Sequence, residues 1–455
     1  MLGKILEKYL IQFNEKIRLT GLTIHLDKSQ PSEIVFYTLH STPASQSLFR
    51  ERLDKGLAAL VIVIGEEVSG CPHHVKFLNA VDAKKLKREL LDYFYPMNGK
   101  MKFIGVTGTN GKSSVVHLVA QILAMNGKRA LSLGTLGLCT SNGEILEDLS
   151  MTTPSEIEIR QLVSFYGNDY DFLCLEVSSH ALSQERLNGL EFQAAGWTSF
   201  SQDHLDYHKT IEEYFLTKTK ILDLVIDKSL YVPNLEKDLI EKLKDYNIHL
   251  CPPLSDKVIE KLPLFFQKGF NRSNLELACA LAQSVIGDSY LKNCDFEKIS
   301  LPKGRFNLFE VEGILVIVDY AHTPDALRSI GFEVKRLYPY HSISTVFGCG
   351  GNRDRSKRPL MRKAVESFSD SIIITSDNPR DEDPKQIIDE IIFGGEGVYQ
   401  IEVDRKKAIE LALNKANKKT VVIIAGKGHE EYQEIKGVKR PFSDTDTVKN
   451  WQKKL

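Results

Sequence analysis

A chain of 455 residues, 42% apolar and 26% charged, has the composition of a soluble globular protein and the length for about three domains. Its net charge of -1 supplies no overall field toward nucleic acid or an anionic membrane, which excludes both as general partners. Seven scattered cysteines with no Cys-x-x-Cys pair argue against a disulfide framework and fit a reducing, cytoplasmic setting.

In chain order, Leu2, Ile5, Leu6, Tyr9, Leu10 and Phe13 form a helical stripe facing a core, without the continuous apolar run of a signal peptide. No later run reaches membrane-span length. The run 59–64 is apolar and strand-like. Cys71-Pro-His-His74 reads as a solvated loop, because no further metal ligand is near in sequence. The turn-rich segment 95–100 marks a first domain boundary and 301–305 a second. The expected domains are 1–98, 99–305 and 306–455. Near-continuous apolar runs at 172–175, 314–318, 371–374 and 421–425 alternate with helix patterns, so the expected class is α/β with mostly parallel sheets.

The strongest local signal is Phe103-Ile-Gly-Val-Thr-Gly108-Thr109-Asn110-Gly111-Lys112-Ser113-Ser114. A short apolar strand enters a glycine turn, and Val115, Val116, Leu118, Val119, Ile122 and Leu123 continue as a helix. That is the context of a phosphate loop. Gly108 and Gly111 let backbone N–H groups close on phosphate oxygens at a positive helix end. Lys112 would neutralise the β- and γ-phosphates, and Ser113 or Ser114 would reach Mg²⁺. Valine at 106 replaces the first glycine of the commonest spacing.

Glu176 closes the run 172–175 at the ligand edge of a parallel sheet, opposite the phosphate loop. Ser201-Gln-Asp203-His204-Leu-Asp-Tyr-His208 carries two acids and two histidines; a hydrated Mg²⁺ suits it better than a tetrahedral Zn²⁺. Lys218 and Lys220 alone would be a basic helix face.

In the last third, polar clusters follow four apolar runs: Asp319-Tyr-Ala-His-Thr-Pro-Asp325, Gly348 to Arg358, Ser376-Asp377-Asn378-Pro379-Arg380 and Gly426-Lys427-Gly-His-Glu430. Strand ends of an open α/β sheet share one crevice. Arg353, Arg380 and Lys427 suit carboxylate or phosphate, whereas Asp377 and Glu430 suit an ammonium group. Both signs together suggest a zwitterion such as an amino acid.

Taken in this order, Gly108-Thr-Asn-Gly-Lys-Ser, Thr152-Thr153-Pro154, Glu176-Val-Ser178-Ser-His180, Asp203-His-Leu-Asp-Tyr-His, Asp319-Tyr-Ala-His-Thr-Pro, Gly-Asn-Arg353, Asp377-Asn-Pro-Arg380 and Gly426-Lys-Gly-His-Glu430 resemble the Mur ligase family across nearly all of 99–455. The resemblance implies a central phosphate-loop ATPase-like sheet between an N-terminal substrate domain and a C-terminal Rossmann-like domain. It implies an ATP- and Mg²⁺-dependent amide ligase that passes through an acyl phosphate in cytoplasmic peptidoglycan precursor synthesis. Lys112, Glu176, His204 and Lys218 would be catalytic. Ser113, Glu176, His204 and Lys218 as a carbamate would serve the metal, with Lys220 as a competitor for the last role. Gly108 to Ser114 would bind ATP, with Asn271 or Asn274 at adenine and Arg305 and Asp319 at phosphates and ribose. Thr152, Thr153, Ser178, Gln184 and Arg186 would hold a UDP-muramoyl dipeptide. Asp377-Asn378-Pro379-Arg380 resembles the signature of meso-diaminopimelate users, with Arg353, Gly426 and Glu430 completing that site. An arginine there matches the additional carboxylate of diaminopimelate, and a lysine substrate would leave it unpaired.

The first domain departs from the family pattern. The Asp-Ser-Arg that grips the uridine nucleotide is not present, and His40-Ser41-Thr42 is the replacement considered, with Ser41 as the site residue. The chain is expected to bind only small-molecule substrates and to be a monomer. The competing readings are a ligase of the same type with another amino acid or acceptor, and a non-catalytic nucleotide-dependent binding module.

Overall fold

The computed structural model describes residues 1–13, 16–97, 99–149, 151–288 and 293–451. Of the turn-rich segment 95–100, Asn98 lies outside the described residues. The chain divides into two compact units: Met1–Lys102 with Pro154–Asp171 and Glu185–Asn188, and Phe103–Thr153 with Phe172–Gln184 and Gly189–Leu455.

The first unit is built on four parallel strands in the order Gly21–Thr23, Glu33–Thr38, Leu60–Ile64, Val75–Leu78. Helix Ala80–Phe94 buries Ala83, Leu86, Leu90 and Leu91, a stripe at helical spacing, against Leu22, Ile34, Phe36, Leu60 and Ile62. Its start is capped by Asn79, which accepts from the Asp82 N–H at 2.9 Å. Helix Glu156–Tyr166, remote in sequence, opens with a capping box between Ser155 and Glu158. It is tied to the N-terminal part by Gln161 Nε2 donating to Leu22 O (2.8 Å) and Arg160 donating to Tyr95 O (2.9 Å) and Asp92 (2.7 Å).

The N-terminal helix is shorter than the stripe Leu2 to Phe13 suggests. It spans Leu2–Glu7 and buries Ile5 and Leu6. The Ile11 N–H turns back onto Leu6 O at 3.1 Å, and Leu10 takes φ +57° with its side chain exposed. Lys8 and Tyr9 are drawn instead to Glu89 at 2.6 and 3.0 Å.

The second unit carries two large sheets. Eight strands run in the order Ile248–Leu250, Leu230–Val232, Phe192–Trp197, Lys102–Thr107, Phe172–Glu176, Ala130–Gly134, Gly137–Thr140, Ile145–Glu147. Antiparallel pairing is confined to the last three. Helices Lys112–Met125 and Gly269–Ile286 cover one face, and their apolar residues fuse with Ile104, Val106 and Phe172 into one core. Six strands form the other sheet in the order Asn307–Val311, Ile314–Asp319, Thr420–Ala425, Ser342–Phe347, Ser371–Ile374, Gln400–Ile401, parallel except at the Asn307–Val311 edge. Separate cores on its two faces explain why its strands read as unbroken apolar runs rather than alternating ones. A hairpin, Tyr432–Ile435 with Val438–Pro441, follows the last parallel strand.

Candidate active site

Strand Lys102–Thr107 delivers the chain into the turn at Gly108, and helix Lys112–Met125 starts behind Gly111. Gly108 has φ +146° and Gly111 φ +86°. A side chain at Gly108 would collide with Thr198 Oγ1, and one at Gly111 would stand 2.6 Å from Asn274 Oδ1. The turn is held from the adjacent strand's exit: Thr109 N donates to Ser199 O (2.9 Å), Asn110 N to Ser199 Oγ (3.1 Å), and Thr198 Oγ1 to Asn110 O.

Two lysines close on this turn. Lys112 Nζ donates to Gly108 O (2.9 Å) and Thr109 O (2.8 Å), and Lys218 Nζ donates to Gly108 O (2.9 Å) from the face of Tyr214. Neither ammonium has a carboxylate within ion-pair distance among the described residues. Desolvation holds Lys112 below the ordinary lysine value, opposed by Glu176 and Asp203. Desolvation, joined by the charge of Lys112, holds Lys218 well below it. Lys218 is 1% exposed, whereas Lys220 points to solvent, so the fold separates two lysines that the sequence left in competition.

Glu176 ends strand Phe172–Glu176, buried. Its Oε1 accepts from Thr135 N at 2.8 Å, an approach that Gly134 permits, since a side chain there would strike the carboxylate. Thr135 Oγ1 meets Thr152 Oγ1 at 3.1 Å. The Thr153 hydroxyl donates to Glu176 O (2.7 Å) and accepts from Ser178 N (3.0 Å), and Ser178 Oγ caps the next short helix. Thr152, Thr153, Ser178 and Glu176 therefore form one connected group.

His204 sits in left-handed backbone, φ +53°, with its N–H on Asp203 Oδ1 at 2.8 Å. Desolvation pushes its imidazole down, so it is neutral near pH 7 and can offer a nitrogen lone pair. Lys357 donates to Asp203 at 2.7 Å and joins the two large sheets, a contact the sequence reading did not single out.

Arg305 lies over the Tyr320 ring at 4.4 Å and donates to Ser113 Oγ at 2.9 Å. Asp319 accepts from Phe306 N and Ala321 N, each at 2.7 Å, and desolvation raises its carboxyl above the ordinary value. Asn271 and Asn274 are buried on helix Gly269–Ile286. Asn110 Nδ2, Asn271 Nδ2 and Arg305 Nη1 are buried donors without a hydrogen-bond partner among the described residues. Donors left open beside a glycine turn fit an anionic, polar ligand such as a nucleotide. For a cation, the Ser113 hydroxyl and Glu176 carboxylate are oxygen donors that suit Mg²⁺, and no group of three His, Cys, Asp or Glu among the described residues forms an all-protein cage.

At the other end, Asp377 and Asn378 are buried, and Asn378 Nδ2 donates to Glu430 Oε2 at 2.8 Å. Lys427 does not face the crevice as its charge suggests. It is fully buried, donating to Glu430 Oε2 (2.8 Å) and Asn378 Oδ1 (3.0 Å), because two polar partners satisfy its ammonium behind the wall. Gly426, φ +117°, leaves room for Asp377, whose carboxylate a side chain there would strike. Arg405 and Asp444, both fully buried, pair at 2.8 Å, and Arg405 also holds Ala425 O at 2.9 Å.

A cavity of about 670 Å³ links the two ends. Of the residues expected at the site, Thr109 to Ser114, Thr152, Glu176, His204, Asn271, Asn274, Arg305, Asp319, Arg353, Asp377, Asn378, Arg380, Gly426 and Glu430 line it. Gly108, Thr153, Ser178, Lys218 and Pro379 stand behind lining residues in chain or by hydrogen bond, and Gln184 reaches Tyr207 OH at 3.4 Å. Ser41 and Arg186 belong to the other compact unit. Ser41 is exposed before helix Pro43–Lys55, which Thr42 caps. Cys71 to His74 form a turn outside any three-ligand group among the described residues.

Comparison with known proteins places two families on this chain: Mur ligase middle domain at residues 106–251, and Mur ligase, glutamate ligase domain at 304–428. A UDP-N-acetylmuramoyl-L-alanyl-D-glutamate–2,6-diaminopimelate ligase of Aquifex aeolicus is 35% identical, covering 95% of this chain and 93% of the relative. One of Rickettsia bellii is 35% identical, covering 96% of both. A solved structure of a ligase of that name superposes with a TM-score of 0.56 at 27% identity, covering 98% of this chain and 97% of the other.

Proposed function

This chain belongs to the Mur ligase family, and we propose that it joins meso-diaminopimelate to UDP-N-acetylmuramoyl-L-alanyl-D-glutamate at the expense of ATP. The observation that carries the reading is one cavity with open phosphate-type donors at one end and Arg380, Asn378 and Glu430 at the other. The division of labour follows the expected domains: 1–98 for the uridine substrate, with Ser41 among its contacts, 99–305 for ATP and 306–455 for the amino acid.

In the first step the γ-carboxylate of the D-glutamyl residue attacks the γ-phosphorus of ATP and ADP leaves. The amine of diaminopimelate then attacks the acyl-phosphate carbonyl, phosphate leaves with the C–O bond, and the amine loses a proton. Lys112 bridges the phosphates and the loop carbonyls, Arg305 neutralises charge beside Ser113, and Asn271 or Asn274 serves adenine with Asp319 near ribose. Preorganised charge of this kind is the largest contribution a ligase makes to phosphoryl transfer. Ser113, Glu176 and His204 would hold Mg²⁺, which when bound would withdraw charge from the phosphates. Lys218, whose pKa burial holds well below the ordinary lysine value, is the amine that would add to CO₂ to form a carbamate, its N–H proton passing to solvent. Thr152, Thr153, Ser178, Gln184 and Arg186 hold the muramoyl dipeptide. Arg353 and Arg380 hold the distal carboxylate of diaminopimelate, and Asp377 and Glu430 its ammonium. The protein works as a cytoplasmic monomer.

The test is the product. Incubation with ATP, Mg²⁺, diaminopimelate and the UDP-muramoyl dipeptide should give a tripeptide heavier by diaminopimelate less water. Turnover of a folate-type acceptor in place of the dipeptide would overturn the acceptor assignment.

A further inference from the structure

Resting on the diaminopimelate reading, we infer that Glu434 is an internal surrogate for the substrate's distal carboxylate, seated on the recognition edge of Arg380 until the substrate displaces it. An arginine offers a carboxylate two edges, Nη1 with Nη2 and Nε with Nη2, each presenting a pair of parallel N–H donors. The Nη1 side of Arg380 is spent, because Nη1 donates to Gly351 O at 2.8 Å and would lie 3.0 Å from any side chain at Gly350. The edge left is Nε with Nη2. Glu434 Oε2 stands 3.3 Å from Nε, on that edge, and Nη2 has no partner among the described residues.

Both residues are fixed where they stand. Glu434 N donates to Asn378 Oδ1 at 2.9 Å, and Glu434 O accepts from Arg380 N at 3.1 Å. Arg380 has φ +51°, and its carbonyl accepts from Lys436 N at 2.7 Å. The hairpin thus clamps the backbone of the arginine and places a carboxylate at its guanidinium. The side chains are about a quarter exposed, 23% and 27%, so the Glu434 carboxylate can swing into water.

This has a consequence for specificity. With diaminopimelate, Glu434 must leave and then repels the arriving carboxylate. With L-lysine, which has no distal carboxylate, Glu434 stays and keeps Arg380 paired. The residue therefore narrows the discrimination that Arg380 alone would give.

Glu434→Gln and Glu434→Ala, assayed with ATP, Mg²⁺ and the UDP-muramoyl dipeptide, should lower KM for diaminopimelate about two- to fivefold, the range of a partly exposed pair. KM for ATP should not change, and the kcat/KM ratio of diaminopimelate over L-lysine should rise. Unchanged KM for diaminopimelate, or equal losses for both amino acids, would overturn the inference. If wild-type protein ignores diaminopimelate, the substrate reading fails and this inference with it; if wild type uses it and the variants match wild type, only the inference fails. A measurement free of folding effects is the wild-type structure with diaminopimelate bound. Glu434 should be found away from Nε, and its retention there would overturn the inference.

Discussion

The two ends of the cavity handle charge in opposite ways. At the phosphate end, Lys112 and Lys218 are buried against carbonyl oxygens and lack carboxylate partners, so desolvation depresses both. At the amino-acid end, Lys427 is paired with Glu430, Arg380 with Glu434 and, just behind, Arg405 with Asp444. The first end leaves the Lys112 ammonium without a carboxylate partner and gains most from an anion. At the second, Lys427 and Arg380 already have carboxylate partners, so a ligand that engages Arg380 must replace a pair. Affinity for phosphate and selectivity for an amino acid are thus built from the same residue types by giving or withholding partners.

The contrast breaks most visibly at Lys112. Lys112→Ala should lower kcat on the order of 10³-fold, the cost of removing a preorganised cation from a phosphoryl transfer. Activity within a few fold of wild type would show that the phosphate end does not depend on that charge. Arg380→Ala should raise KM for diaminopimelate roughly 10- to 100-fold and leave KM for ATP alone, because a charged hydrogen-bonding partner is lost at one end only. A parallel rise for both substrates would mean the ends are not separable.

A smaller effect sharpens the comparison on the helix that carries the phosphate loop. His117 is buried, its Nε2 2.5 Å from Gln121 Nε2, which also donates to Ser300 O. With an amide N–H facing it, the imidazole nitrogen acts as acceptor and resists protonation. Burial pushes its pKa from 6.5 to about 4. The unfolded chain therefore takes up a proton below pH 6.5 that the native chain refuses until about pH 4. Stability attributable to His117 is full above 6.5 and falls with acid across that window, by up to ~1.4 kcal/mol per pH unit. Denaturant melts of His117→Gln between pH 7 and pH 4 should show a flatter decline than wild type. Parallel declines would show that His117 does not titrate differently on folding.

What could be read from the sequence was what is local. The phosphate loop was legible because strand, glycine turn, Lys112-Ser113 and helix are contiguous, and the apolar runs were legible because both faces of their sheets are covered. The choice between Lys218 and Lys220 rests on resemblance in the sequence, whereas in the structure Lys218 is buried in the last turn of helix Ile211–Thr219 and Lys220, just past its end, is exposed. Contacts across long chain separations left no local trace. Lys357 and Asp203 are 154 residues apart, and Glu434 reads as one more charge in a polar hairpin. Helix Glu156–Tyr166 looks like part of the central region by position, yet Gln161 and Arg160 bind it to Leu22, Tyr95 and Asp92. Lys427 misled in the opposite direction, because charge alone does not say whether a partner already waits inside.

The most direct test of the account is phosphate release from ATP by the purified protein with Mg²⁺ and UDP-muramoyl-L-alanyl-D-glutamate, adding meso-diaminopimelate or L-lysine separately. The account predicts rapid release with diaminopimelate and far slower release with lysine. Equal release with both, or release with lysine alone, would contradict it.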